Sequence, residues 1–219
     1  MKYPNAAKGI KKIFVAEILS IVAAVLLLAI VIMMATSNVD TSMSGEAVTQ
    51  ALETAKVGAP FAILSIAMMV FMLASYVLNF IGIATASKDE AGFKRALWML
   101  LESLACGIGA DVLENTHARV ADWLKVPSTL FELVVTIYVL EGIGSLARNL
   151  DNKQIADMSA QARTWLMCAL VLASAAQVFV ALGTAGSVLN TTSGIAAALL
   201  QLVAYVVYLR VLNKARQMQ

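Results

Sequence analysis

Charge is scarce in this 219-residue chain: Lys, Arg, Asp and Glu make up 14% of it, against about a quarter in globular proteins. A soluble domain needs a charged surface, and 60% hydrophobic residues are more than a soluble core absorbs. Histidine is down to one, His117. With Asp111 and Glu114 it forms only a loosely spaced ligand set and reads as a solvated loop histidine, so neither a metal nor a cofactor is expected. Cysteines number two. Cys106 and Cys168 both fall in apolar runs, read as small buried hydrophobes and exclude a disulfide framework.

Catalytic signatures are missing too. There is no P-loop and no HExxH. GIGS at 142–145 lacks the GxSG and facing histidine of an intramembrane serine protease, and GIGAD at 107–111 misses the GxGD of membrane aspartyl peptidases by one residue. No glycines are spaced as GxxxG, and no basic, aromatic surface marks a nucleic-acid partner. An enzyme is the least supported class.

What the chain has is long apolar runs. A helix rising about 1.5 Å per residue needs about 20 residues to cross a bilayer, and six runs meet that length near 13–36, 59–86, 95–113, 128–148, 164–185 and 193–212. They predict an all-α integral membrane protein of six transmembrane helices, a single transmembrane domain over 1–219. Between the last two runs, VLNTTSG at 188–194 supplies turn chemistry. The run from Ile13 to Ala35, preceded by Lys2, Lys8, Lys11 and Lys12, is too long for a cleaved signal and reads as a retained signal-anchor.

Charge fixes the orientation. With six spans and the N-terminus inside, 13 basic residues fall inside and only Lys56, Arg119 and Lys125 outside, which is the positive-inside pattern. Both termini are expected in the cytoplasm, with the protein multi-pass in the plasma membrane. Trp98 and Trp165 near inner boundaries and Trp123 near an outer one suit interfacial indoles. Ser87 with Glu90, Asp151 with Gln154, and Thr129 with Glu132 resemble capping boxes at helix starts. The outer segments at 37–56 and 114–125 are too short to fold as domains.

A faint repeat runs along the chain. GIKK at 9–12 and GFKR at 92–95 each lead into a span, NFIG at 79–82 aligns with LEGIG at 140–144, and Asp89 then aligns with Asp151. Three tandem helical hairpins in the same sense would produce this pattern; shared composition at inner boundaries is the alternative.

Carboxylates inside the runs mark the candidate site, because a charge in hydrocarbon is costly. From the nearest inner charge, Glu17 lies about 7 Å deep, Glu102 and Glu141 about 10 Å, and Asn79 about 13 Å. The expected intramembrane polar site is therefore Glu17, Asn79, Glu102 and Glu141, with Tyr138, Ser145 and Arg148 on the stripe of Glu141. Glu141 carries most weight, since Gly142 and Gly144 permit close backbone approach. Gln177 and Gln201 form a weaker counterpart in the third hairpin. The layer predicts a subunit that binds or transports a small solute or ion; the alternative has each carboxylate protonated, or reaching Lys12, Arg95 or Arg148 across a neighbouring helix, and locking the helices. In that case the protein is an assembly subunit whose partner is a second copy or a larger membrane complex. Lipid is the partner in either case.

Overall fold

The computed structural model describes residues 3–36, 58–114, 118–181 and 188–217. All their regular structure is helical: α1 Pro4–Thr36, α2 Gly58–Ala86, α3 Ala91–Glu114, α4 Ala118–Asn149, α5 Lys153–Ala181 and α6 Val188–Ala215. Four described stretches are long and apolar enough to cross a membrane, namely Pro4–Met34, Gly58–Ala86, Ala91–Leu113 and Leu130–Asn149. Large side chains such as Ile63, Ile66, Met69 and Leu73 stand exposed along α2. In water such a face would be a liability, and it is compatible with a membrane protein. The expected outer segment 37–56 lies outside the described residues.

The helices are longer than the apolar runs inside them. α1 begins at Pro4 and α5 at Lys153, each about ten residues before its run. α4 begins at Ala118 and passes through Pro127. Thr129 and Glu132, read as a helix start, therefore lie inside a continuous helix. The turn expected at VLNTTSG is likewise helical, belonging to the first turns of α6. The other two boxes are displaced. Ser87 continues α2, its N–H donating to the carbonyl of Ile83 and its hydroxyl to that of Ala84, so its side chain caps nothing in α3. At the α4–α5 turn the cap is Asn152, whose Oδ1 accepts the N–H of Ile155 at 3.2 Å. Asp151 instead takes the left-handed conformation, φ 54°. Its N–H donates to the carbonyl of Arg148, and that of Asn152 to the carbonyl of Ala147. This pair of bonds is a Schellman closure, with aspartate where glycine is usual.

The described chain packs as two units, Met1–Phe14 with Phe80–Gln219, and Val15–Asn79. In the first, α3 packs on α4, α4 on α5 and α5 on α6. α4 is the most enclosed of the four apolar stretches, 56% of it being buried. Leu140, Ile143, Leu146 and Ala147 fill its faces, as expected of a helix with neighbours on several sides. Phe93, Ala96, Leu100 and Ser103 mark the buried face of α3 at helical spacing. The Arg216 guanidinium lies 4.2 Å from the centre of the Phe14 ring, a cation–π contact between the chain beyond α6 and α1. Cys106 is half-buried and Cys168 exposed. Neither is the enclosed hydrophobe expected, because on these helices an apolar side chain need not turn inward.

Glycine sets two helix contacts in this unit. A Cβ added at Gly9 would stand 2.5 Å from the carbonyl oxygen of Gly82 and 2.7 Å from the Cβ of Ala86; at Gly92 it would stand 2.6 Å from the backbone nitrogen of Gly142. α1 and α2 therefore meet backbone to backbone, as do α3 and α4. The N-terminus of α1 is held by a distant residue. With Pro4 at the first position, the N–H groups of Asn5 and Ala6 have no partner within the helix. Asp89, between α2 and α3, accepts both on Oδ2 at 2.8 Å and takes the Asn5 side-chain amide on Oδ1 at 2.8 Å. Partial desolvation by itself would raise the Asp89 pKa; the hydrogen bonds from Ala6 and Asn5 together outweigh it and hold the carboxyl below its usual range. In the second unit the Ser75 hydroxyl donates to the carbonyl of Ala16 at 2.8 Å, tying α2 to α1.

Two outcomes follow from these contacts. Gly9→Val gains no helix propensity worth counting and meets rigid backbone, so it should lower the unfolding free energy of the detergent-solubilised protein by about 1–3 kcal/mol. Asp89→Ala should cost about 1 kcal/mol, as loss of a cap does. Because the folded pKa of Asp89 is depressed, its contribution is complete above the unfolded value of about 3.9 and is lost as pH falls through the lower folded value. Thermal melts of wild type and Asp89→Ala from pH 7 to pH 3 should therefore differ by a constant amount until about pH 4 and converge below it.

Candidate functional site

Glu141 lies in the apolar stretch Leu130–Asn149 of α4, and the flanking glycines direct it. Gly142 faces α3: a Cβ there would stand 2.8 Å from the Phe93 ring. Gly144 faces α5, where the Ser159 hydroxyl would be 3.3 Å from such a Cβ. Close approach on both sides leaves Glu141 at the edge of the α3–α4 contact. There Arg95, one turn beyond Gly92 on α3, donates from Nη1 to Glu141 Oε1 at 3.0 Å. The side chains are 59% and 30% exposed, respectively. Screened by water, such a pair contributes from nothing to about 1 kcal/mol.

On its other side Glu141 borders a small open cleft between α4 and α5. Leu140, Gly144 and Arg148 from α4, and Ala156, Ser159, Ala160 and Arg163 from α5, complete its lining, and its volume of about 20 Å³ accommodates roughly one water molecule. The buried Ser159 hydroxyl donates to the carbonyl of Leu140 across the interface, which fixes α5 against α4. Glu141 has its guanidinium in Arg95. Among the described residues Arg148 and Arg163 have no hydrogen-bonded or ionic partner for their side chains.

The residues of the expected layer divide between the two units. In the first, Tyr138 and Ser145 are half-buried and Arg148 is exposed, all on the helix face of Glu141. Glu102 stands exposed two turns beyond Arg95 on α3, with no hydrogen-bonded or ionic partner among the described residues. The buried face of α3 runs through Ser103 instead, and successive residues turn about 100° around a helix. Glu102 is thus rotated out of the α3–α4 contact. In the second unit Glu17 is half-buried and engaged in a polar or electrostatic contact. The Asn79 side-chain oxygen is buried with no hydrogen-bond partner. Glu17 follows Ala16 and Asn79 lies one turn after Ser75, so both are near the α1–α2 hydrogen bond described above.

Two polar contributors to the cleft, Arg163 and Ser159, were not among the expected site residues. Arg163 is counted from sequence with the inner-boundary charges because the fifth run begins at 164, yet it lies about three turns into α5 and lines the cleft that Glu141 borders. Ser159 carries no local signal, being one serine in a polar stretch. His117 lies outside the described residues, as do the side chains of Gln177 and Gln201. Compared with protein-family models, with curated proteins and with solved structures, the chain has no match in any of the three.

Proposed function

We propose that this is a six-span protein of the plasma membrane with both termini in the cytoplasm, and that it binds or transports a small solute or ion at the cytoplasmic end of α4. One observation carries the reading. Glu141, on a helix apolar enough to cross a membrane, borders a cleft with its side chain 30% exposed while Arg95 neutralises it from the next helix. An ionisable group at such a position is retained against a cost, which makes function the default explanation. The tandem-hairpin reading belongs to the same proposal; Gly9 and Gly92 each meet a helix backbone, at Gly82 and at Gly142, the latter two residues before Gly144, the repeat's counterpart of Gly82. Gly9 and Gly92 open the repeated GIKK and GFKR segments. The second reading, a helix-locking role in an assembly subunit, is favoured by the same ion pair, since Arg95 satisfies Glu141 without any ligand.

Flux and stability measurements separate the two. Purified protein in liposomes should accelerate the flux of at least one of three probes: protons, sodium or inorganic phosphate. Glu141→Gln should cut that flux at least about tenfold, the effect of losing an interaction of about 1.4 kcal/mol, with the melting temperature held within a few degrees. A wild type that moves none of the probes, or a Glu141→Gln protein that transports normally but melts much earlier, would overturn the transport reading.

A further inference from the structure

The geometry points to a phosphate group as the ligand of the α4–α5 cleft, held by Arg148 and Arg163. This rests on the reading of the cleft as a ligand site and names its chemistry. The ion pair and the lining of the cleft together contain three arginines, Arg95, Arg148 and Arg163, and one carboxylate, Glu141. Arg95 is spent on Glu141. Three positive charges against one negative leave an excess of two, and both belong to side chains that line one cleft without a partner among the described residues. A cation would meet that excess and a carboxylate already neutralised, so the ligand is an anion.

Chemistry narrows the class further. Each guanidinium presents a planar fork of donors that matches two oxygens of a phosphate, and two forks from different helices suit a tetrahedral group with several oxygens. The Ser159 hydroxyl is not a donor to such a ligand, because its hydrogen is committed to Leu140. Its part is to fix the distance between the helices bearing the two arginines. The cleft has room for about one water-sized group, so a phosphate sits at its mouth with an oxygen directed inward. That placement suits either a free phosphate or the headgroup of an anionic lipid at the membrane boundary, whose recognition chemistry is the same.

The full chain in phosphate-free maltoside micelles tests this with two probes. In one arm inorganic phosphate is titrated calorimetrically. In the other the micelles are doped with phosphatidylglycerol, and retained lipid is counted by native mass spectrometry. Wild type should bind at least one probe; Arg148→Gln and Arg163→Gln should each weaken binding about tenfold or more, the usual weight of a charge-assisted hydrogen bond. Lys153→Gln, which removes a nearby charge outside the cleft, should change it less than about twofold, as a screened surface charge does. Arg163→Lys keeps the charge and loses the fork, so a several-fold loss from a protein of unchanged melting temperature would show that geometry matters and folding is intact. Response to phosphate assigns the site to a solute, and response to the lipid alone assigns it to a headgroup. Failure of wild type to bind either probe, or equal losses from Lys153→Gln and the arginine variants, would overturn the inference. Ion flux without binding of either probe would sink this inference and leave the transport proposal standing; binding of a probe without flux of any ion would uphold it and sink transport.

Discussion

The contact between Gly92 and Gly142 is the constraint from which the described site follows. Two helices can touch at their backbones only where neither carries a Cβ, and both lack one here. Once α3 and α4 are that close, Phe93 covers Gly142, and Arg95 comes level with Glu141. The glycines thus do for the ion pair what no property of the charged residues does, since long side chains on more widely spaced helices would be solvated separately. On the far side of α4, Gly144 performs a similar service for Ser159, and both residues line the cleft.

A chain so poor in charge must satisfy its backbone within itself. Helices do this except at their ends, and the ends are where the few polar residues of the first unit are concentrated. Asp89 takes two orphan N–H groups of α1 from 84 and 83 residues away, and its negative charge is also favourable beside the positive end of the helix dipole. Asn152 starts α5 directly after Asp151 has closed α4. Threonines inside the helices, Thr85, Thr136 and Thr164, return their hydroxyls to carbonyls four residues back, so that these three hydroxyls ask for no outside partner.

Helices were legible in the amino-acid sequence because apolar runs of this length have no other stable form in a bilayer. Their extents were less so. Hydropathy marks where a helix is apolar, not where its hydrogen bonding stops, which is why α1, α4 and α5 overrun their runs at the polar end and why Asn190 to Gly194 are helical in spite of their turn chemistry. Capping motifs read from spacing slipped at Ser87 and Asp151 because a one-residue change in where a helix ends reassigns every cap position. The Asp89 cap could not be read at all, since a partner that distant leaves no local pattern. In the site, Glu141 stood out as a carboxylate in an apolar run, and Arg95 was among its possible partners. Glu102 has the same depth and composition cues; only the rotation of α3, set by Phe93, Ala96 and Ser103, separates it from Glu141.

The claim that close glycine contact creates the Arg95–Glu141 pair is open to one direct measurement, the coupling energy between the two residues with and without the contact. Stabilities of Arg95→Gln, Glu141→Gln and the double variant give that coupling in the native background, and the same cycle is repeated in Gly92→Ala, where the new Cβ must push α3 from α4. A coupling of a few tenths to about 1 kcal/mol is expected in the native background and none in Gly92→Ala. An equal coupling in both backgrounds would contradict the account, because the pair would then form without the approach held here to create it.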